Sequence, residues 1–394
     1  MARSFPFPRA ARLDLEPEYR QLQQDEPVSR VLFPYGEEAW LITRHADVRT
    51  VLTDQRFSRA VSLERDVPRV TAENFSGGIV AMDPPEHTRL RSVCRHAFTA
   101  RKVARLRDRA EAIATELVKD VALTGEFDAV EEFAIPFTLK MICELLGVPY
   151  EDRGRFRGWA EAGLATTAIS EDERWAATGQ MWDYIADLIG QRRSQPKDDL
   201  ISSMIETQAE AAKVSDDELV IMVMTILVAG YETTSTQLPN FVYVLLEDTK
   251  RLRRLVQRPE LIPSAVEELM RYVPIEANGA SPRYALEDVV LSGTLIPAGS
   301  PIVAATVIAN RDTAVFPDPD CLDFERSPNP HFGFGVGAHF CLGAPLARLE
   351  LQVALEVLGA TVPGLRFTDE EGGVEWKDGM LVRGPSKLMV TSAG

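Results

Sequence analysis

Apolar and polar positions divide the chain into stretches of different period. "VSRVLFPYGEEAWLITR", Val28 to Arg44, sets two β-rich runs around a Pro-Tyr-Gly turn, which predicts a hairpin. A helix follows through "DVRTVLTD". Residues 61–80 lack clear periodicity and read as a long loop. From Pro84 to about Tyr272 the helical period dominates, as in "RKVARLRDRAEAIATELVKDV" and "ERWAATGQMWDYIADLIGQRR". Ser215 as N-cap with Glu218 three positions later forms a capping box. The residues after it are apolar nearly all round, so this helix is expected to run through the protein centre. Its apolar stretch, Leu219 to Gly230, is too short to span a bilayer. Pro239 lacks an N–H and is expected to kink or end the helix. After Tyr272, "SPRYALEDVVLSGTLIPAGSPIVAATV" alternates β-branched residues with Gly and Pro turns and reads as short strands. A meander, "NRDTAVFPDPDCLDFERSPNP", leads to a last helix after Cys341 and a β-rich tail. With no repeat, low-complexity segment or linker, the expectation is one domain over residues 1–394, mainly α with small β-sheets.

Charge narrows the partners. The 394 residues carry 43 Lys+Arg against 59 Asp+Glu, a formal net charge of −16. Such a chain repels phosphate backbones and anionic lipid surfaces, so neither nucleic acid nor membrane is expected as a partner. The N-terminus has no apolar run of signal-peptide type, which predicts a cytoplasmic protein. Against this acidic background, Arg89 to Arg109 holds eight Lys/Arg and a single acid, Asp108. That run reads either as a solvated helix face or as a docking patch for an acidic protein.

The cysteines stand at 94, 143, 321 and 341 without any CxxC, which fits neither a disulfide scaffold nor a zinc site. Cys94, Cys143 and Cys321 read as small buried or half-buried residues. Cys341 differs, because it stands between a glycine-rich run and a helical pattern in "HFGFGVGAHFCLGAPLARLE". Glycines 333, 335, 337 and 343 let backbone pass close to a flat object. A sulfur at the start of a helix meets the positive dipole end and free N–H groups, which favour thiolate. The residues alone leave three readings open: a nucleophile with His339 as base, an axial haem ligand, or a structural cysteine.

"FGVGAHFCLG", Phe334 to Gly343, resembles the haem-binding signature of the cytochrome P450 family, Phe-Gly-x-Gly-x-His-x-Cys-Leu-Gly. Further marks are Glu268-x-x-Arg271 in "AVEELMRY", Arg326 in "FERSPNP", "AGYETT" from Ala229 to Thr234, and "MDPPEHTRLRSV" from Met82. The resemblance covers most of the chain and is to the soluble actinobacterial type that tailors natural products. It implies a single-domain cytochrome P450 fold holding heme b (iron protoporphyrin IX), with Cys341 as the thiolate ligand to iron. It implies that His87, Arg91, Arg283 and His339 bind the haem propionates, contacts suited to a fork of N–H donors or a charged imidazole. Glu268, Arg271 and Arg326 would form an ion network bracing the haem loop, although by spacing alone Glu268 and Arg271 read as a surface pair. Glu232 and Thr233 would relay protons to dioxygen, with Thr233 disrupting a helical hydrogen bond to open a groove. Val80, Val228, Ala229, Asn278, Met380 and Leu381 would line the substrate pocket.

The implied reaction is monooxygenation of a bulky secondary metabolite, macrolide- or polyketide-like, as in antibiotic biosynthesis. No Gly-rich dinucleotide fingerprint follows a strand, so electrons are expected from ferredoxin and ferredoxin reductase. A peroxide-using haem-thiolate enzyme and a non-catalytic haem sensor are the competing readings.

Overall fold

A computed structural model describes the chain except residues 1, 9, 73–76, 96–97, 99–102, 123–124, 209–213, 277–281, 370–372 and 392–394. It is mainly α with small sheets, and the chain divides into two compact units.

The first unit comprises Met1–Arg89 and Glu267–Cys341. Its strands are β1 (Arg3–Ser4), β2 (Val28–Leu32), β3 (Ala39–Ile42), β4 (Phe57–Ser58), β6 (Arg283–Ala285) and β9 (Pro301–Ala304), in the order β1-β2-β3-β9-β6-β4. β5 (Glu126–Asp128) belongs to the other unit, and β7 (Val289–Leu291) pairs with β8 (Thr294–Ile296) as a separate hairpin. The predicted hairpin is there: β2 and β3 pair antiparallel, Val28 opposite Ile42 and Val31 opposite Ala39. β3 then pairs parallel with β9, Trp40 opposite Ile302. Because side chains alternate across a strand, β9 feeds two cores. Ile302 and Ala304 join Ile42, Val51, Phe57 and Phe332 on one side, while Val303 joins Phe5, Leu22, Val31 and Leu41 on the other. Buried on both faces, this strand reads as an unbroken apolar run in the sequence. The stretch predicted as a loop over 61–80 is irregular where described, apart from 3-10 turns at Ala60–Glu64 and Gly78–Ala81.

The second unit comprises Leu90–Val266 and Leu342–Gly394. The central helix is Asp216–Glu247, and it packs against Ile135–Leu146, Arg153–Leu164, Glu171–Ser194 and Ala344–Thr361. The capping box is formed: Ser215 Oγ accepts from Glu218 N at 3.1 Å, and Glu218 Oε2 accepts from Ser215 N at 2.8 Å. Leu227, Phe241, Val244 and Leu245 are among its buried side chains, each contributing about 1.5–3 kcal/mol if fully withdrawn from water. By length and composition this helix would pass for a membrane span, yet most of it is buried inside the protein. Pro239 lies within it without ending it. Packing along its length offsets the lost hydrogen bond. A second capping box, Ser170 with Glu173, begins the Glu171–Ser194 helix. Within the pattern over 101–121, Val103 and Ala104 are helical and a turn at 105–106 leads into the Arg107–Ala122 helix, while Arg101 and Lys102 lie outside the described residues. The tail forms β10 (Arg366–Phe367), β11 (Val374–Trp376) and β12 (Pro385–Thr391), with β5 completing the sheet against β12.

Candidate functional site

Within the first unit, the Phe334–Cys341 loop is closed on itself: Cys341 N donates to Phe334 O at 2.9 Å and Gly335 N to Phe332 O at 2.8 Å. Gly337 has φ 79°, and a Cβ there would lie 2.7 Å from Leu52 O, so only glycine lets the loop pass the His45–Thr53 helix. Cys341 is exposed at the end of this loop, whereas Cys94 and Cys143 are buried and burial pushes their thiols up to about 12. Such thiols stay protonated and unreactive. Cys321, expected to be at least half-buried, is exposed instead, since it stands in an irregular Pro/Asp-rich loop with no helix or strand face of its own to turn inward.

Histidine and arginine side chains gather in the same unit. The His87 and His339 rings lie 4.2 Å apart, and His87 is buried. Arg283, on β6, is buried and gives one hydrogen bond, Nη1 to Phe57 O at 3.4 Å; its Nε and Nη2 have no partner. Arg59 donates through Nη1 to Val80 O at 2.9 Å, and its Nε is likewise buried without a partner. His339 Nε2 is a fourth such atom. Burial, then the neighbouring Arg59, His87 and Arg283, drive His339 down to about 3; Asp83 acts weakly the other way. Burial and Arg59 likewise hold Arg283 down at about 10. Asp83 is already engaged: it accepts from Ser58 Oγ, from Arg59 N at 2.9 Å and from Ala60 N at 3.2 Å.

An orphaned buried donor costs about 1–3 kcal/mol, and crowded like charges add to that. A ligand edge bearing carboxylates would satisfy the orphaned donors and relieve the repulsion, so these residues fit the propionate edge of a haem. Arg59 was absent from the sequence reading, since one arginine after a two-residue strand carries no pattern. Arg91 lies one turn beyond His87 on the Glu86–Arg95 helix, as its spacing implies.

The Glu268 network is built in full. Arg271 Nε and Nη2 donate to Glu268 Oε2 and Oε1 at 2.8 and 2.7 Å, and both side chains are 0% exposed. The surface-pair reading is therefore wrong. Arg326 Nε reaches both carboxylate oxygens at 3.1 Å, and Asp323 N and Asn329 Nδ2 also donate to Glu268. Arg271 Nη1 donates to the carbonyls of Asn310 and Pro319 at 2.9 and 2.8 Å, tying the meander to the helix Ile262–Tyr272. Beside it, His331 Nδ1 accepts from Gly333 N at 3.0 Å, leaving Nε2–H to meet Glu267 at 3.1 Å, so this histidine caps the loop.

In the second unit, Glu232 is 1% exposed, so this carboxylate lies inside the protein and not at its surface. Burial, the largest influence, raises its pKa, and Lys377 opposes this most strongly. Thr233 Oγ1 donates to Ala229 O at 2.6 Å, and the helix runs unbroken through both residues. The expected disruption is thus limited to a hydroxyl that shares a backbone carbonyl. Ile221 and Ala229 are exposed, and Thr225 and Thr233 half-exposed, giving an accessible stripe at four-residue spacing flanked by half-exposed Ile226, Val228 and Gly230. Val228 beside it approaches Gly163. Met380 bridges Ala165, and Leu381 is exposed beside it. Val80 belongs to the first unit and is exposed, and Asn278 lies outside the described residues. Of the cation run, Arg89 pairs with Glu86, Arg107 with Glu111 and Glu356, and Arg109 with Glu144, while Arg105 is exposed.

A fold of this order and a Cys341 loop of this form define a known class. The chain belongs to the cytochrome P450 family and is a cytochrome P450 monooxygenase, a membership that implies a haem cofactor. The family profile, Cytochrome P450, matches residues 173–358. The chain is 51% identical to a mycinamicin IV hydroxylase/epoxidase of Micromonospora griseorubida over 98% of each chain. It is 45% identical to a nocardicin C N-oxygenase of Nocardia uniformis subsp. tsuyamanensis, over 99% of this chain and 98% of the relative. Among solved structures, a mutant of the mixed-function cytochrome P450 MycG in complex with mycinamicin IV superposes with TM-score 0.93 at 50% identity, covering 99% of this chain and 100% of that one.

Proposed function

We propose that this monooxygenase inserts one atom of dioxygen into a bulky secondary metabolite of macrolide or polyketide type, using heme b ligated by Cys341. The observation that carries the reading is the set of orphaned buried donors on Arg59, Arg283 and His339, in the same unit as the closed Cys341 loop. When bound, the haem supplies the redox centre at which two electrons and two protons turn dioxygen into one inserted oxygen atom and one water. His87, Arg91, Arg283 and His339, with Arg59, hold its carboxylates through charge-assisted hydrogen bonds. Glu268, Arg271 and Arg326 brace the loop that carries the ligand. Glu232 takes protons from solvent and Thr233 orients them toward dioxygen, both from one helix.

Val228 and Ala229 beside the accessible stripe, with Met380 and Leu381 on the tail turn, line the substrate site on this reading, and the family resemblance gives the same role to Val80 and Asn278. They are mostly small or apolar, which suits a large, partly oxygenated molecule. The relative named for mycinamicin IV supports that class. The nocardicin relative, at a similar level of identity, marks the substrate class as the part most exposed to test. Electrons come from ferredoxin and ferredoxin reductase in the cytoplasm.

The deciding experiment is the optical spectrum of the reduced, carbon monoxide-treated protein, followed by titration of the ferric protein with mycinamicin IV. A thiolate-type band and a spin-state shift are expected. A colourless preparation overturns the haem reading, and a silent titration with mycinamicin IV but not with other polyketides redefines the substrate. Reduction by an acidic ferredoxin is expected to slow as ionic strength rises, since exposed charges are screened beyond about 10 Å at 0.1 M salt. A salt-independent rate removes the basic run as the docking surface.

A further inference from the structure

Lys377, on the turn after β11, belongs to none of the roles above. Its Nζ donates to Glu232 Oε1 and, at 2.9 Å, to Thr236 Oγ1. Thr236 in turn donates to Glu232 Oε1 at 3.5 Å. Lys377 thus grips two residues one turn apart on the central helix. The Glu232 carboxylate is engaged by Lys377 and Thr236, while the Thr233 hydroxyl is engaged by Ala229 O. Two residues further on, the same turn holds a different segment. Gly379 O accepts from the amides of Thr166, Thr167 and Ala168 at 2.6, 3.1 and 3.3 Å, and Leu381 N donates to Leu164 O at 2.9 Å. Residues 165–168 link the Arg153–Leu164 helix to the Glu171–Ser194 helix. Gly379 has φ 64°, and a Cβ there would stand 2.7 Å from Ala168 N and Thr167 Oγ1.

We propose that Lys377 is a positioning residue for Glu232, holding its carboxylate in an ion pair away from Thr233, and that residues 377–381 connect that pair to the 165–168 segment. The proposal rests on the relay reading of Glu232. Lysine suits the task, as a compact point charge on a flexible four-carbon stem that reaches from the turn to the helix. The other charged groups near Glu232 do not replace it. Glu161, on the Arg153–Leu164 helix, pushes the Glu232 carboxyl further up; Tyr231 is neutral; Arg157 is occupied by Glu161 and Glu131 at 2.8 and 2.6 Å. Without the lysine charge, burial acts on Glu232 almost unopposed and its proton is held to higher pH.

Infrared pH titration of the holoenzyme tests this, with the Glu232 carboxyl band assigned by its loss in Glu232→Gln. A charge partner at hydrogen-bonding distance is worth about 1–3 pH units of titration midpoint. The midpoint is expected to rise by an amount in that range in Lys377→Met and to return toward wild type in Lys377→Arg, a recovery that simple misfolding would not give. Gly379→Ala is expected to speed hydrogen exchange at the amides of Thr166, Thr167 and Ala168 and to move the Glu232 midpoint as well. An unchanged midpoint in Lys377→Met overturns the positioning role. Faster exchange with an unchanged midpoint in Gly379→Ala overturns the connection. Unchanged turnover in Glu232→Gln, by contrast, sinks the relay while leaving these two results to stand on their own.

Discussion

Glu268→Ala is expected to lower the stability of the folded protein by about 3–5 kcal/mol, the cost of stranding a buried charge. Arg271 would keep its guanidinium at 0% side-chain exposure with only the carbonyls of Asn310, Pro319 and Cys321 as partners. Arg326 and the amide of Asp323 would lose an acceptor in the same step. Denaturant unfolding of the variant reads the effect as a lower midpoint. Glu267→Ala supplies the control from the next position of the same helix. Its carboxylate is 28% exposed and meets His331, so the loss there is expected to stay below about 1 kcal/mol. Equal losses in the two variants would mean that the Glu268 network adds nothing beyond an ordinary ion pair.

Cys341→Ser is expected to abolish the thiolate-type absorbance of the reduced, carbon monoxide-bound protein and to reduce turnover to background. A serine hydroxyl is far less acidic than a thiol and a poorer ligand for iron, so the strongest ligand on the loop is lost. The backbone closure from Cys341 N to Phe334 O does not depend on the side chain, and the fold should survive. Cys321→Ser is the matched control. Its carbonyl, not its thiol, receives Arg271 and Arg326, so the spectrum should not change. A retained thiolate band in Cys341→Ser would remove the ligand assignment altogether.

How far the sequence could be read depended on whether partners lie close along the chain. The β2–β3 hairpin and the Ser215 capping box are local, and their residues announce them. The Cys341 loop was legible because its glycines sit at fixed offsets, and Gly337 shows why one of them must be glycine. Lys377 was not legible: Glu232 is 145 residues away, and a single lysine in a turn has no period to detect. Arg59 escaped for the same reason. Glu268 and Arg271 were visible as a pair but not as buried, because burial is conferred by the meander some 50 residues later. Pro239 suggested a break that packing along a long helix overrides. Exposure of Cys321 was misjudged by applying a residue-type average to an irregular loop.

The pairing of β3 with β9 has a consequence for how the chain emerges from the ribosome. Ala39–Ile42 must wait for Pro301–Ala304, roughly 250 residues later, before its outer edge finds a partner, and at 5–20 residues per second that delay is roughly 13–50 s. Through that interval the nascent hairpin shows a bare strand edge and half of two apolar clusters, the kind of surface that chaperones bind. Truncating the gene anywhere before codon 301 should therefore yield aggregate rather than a small folded fragment, however native-like the first ninety residues look on paper.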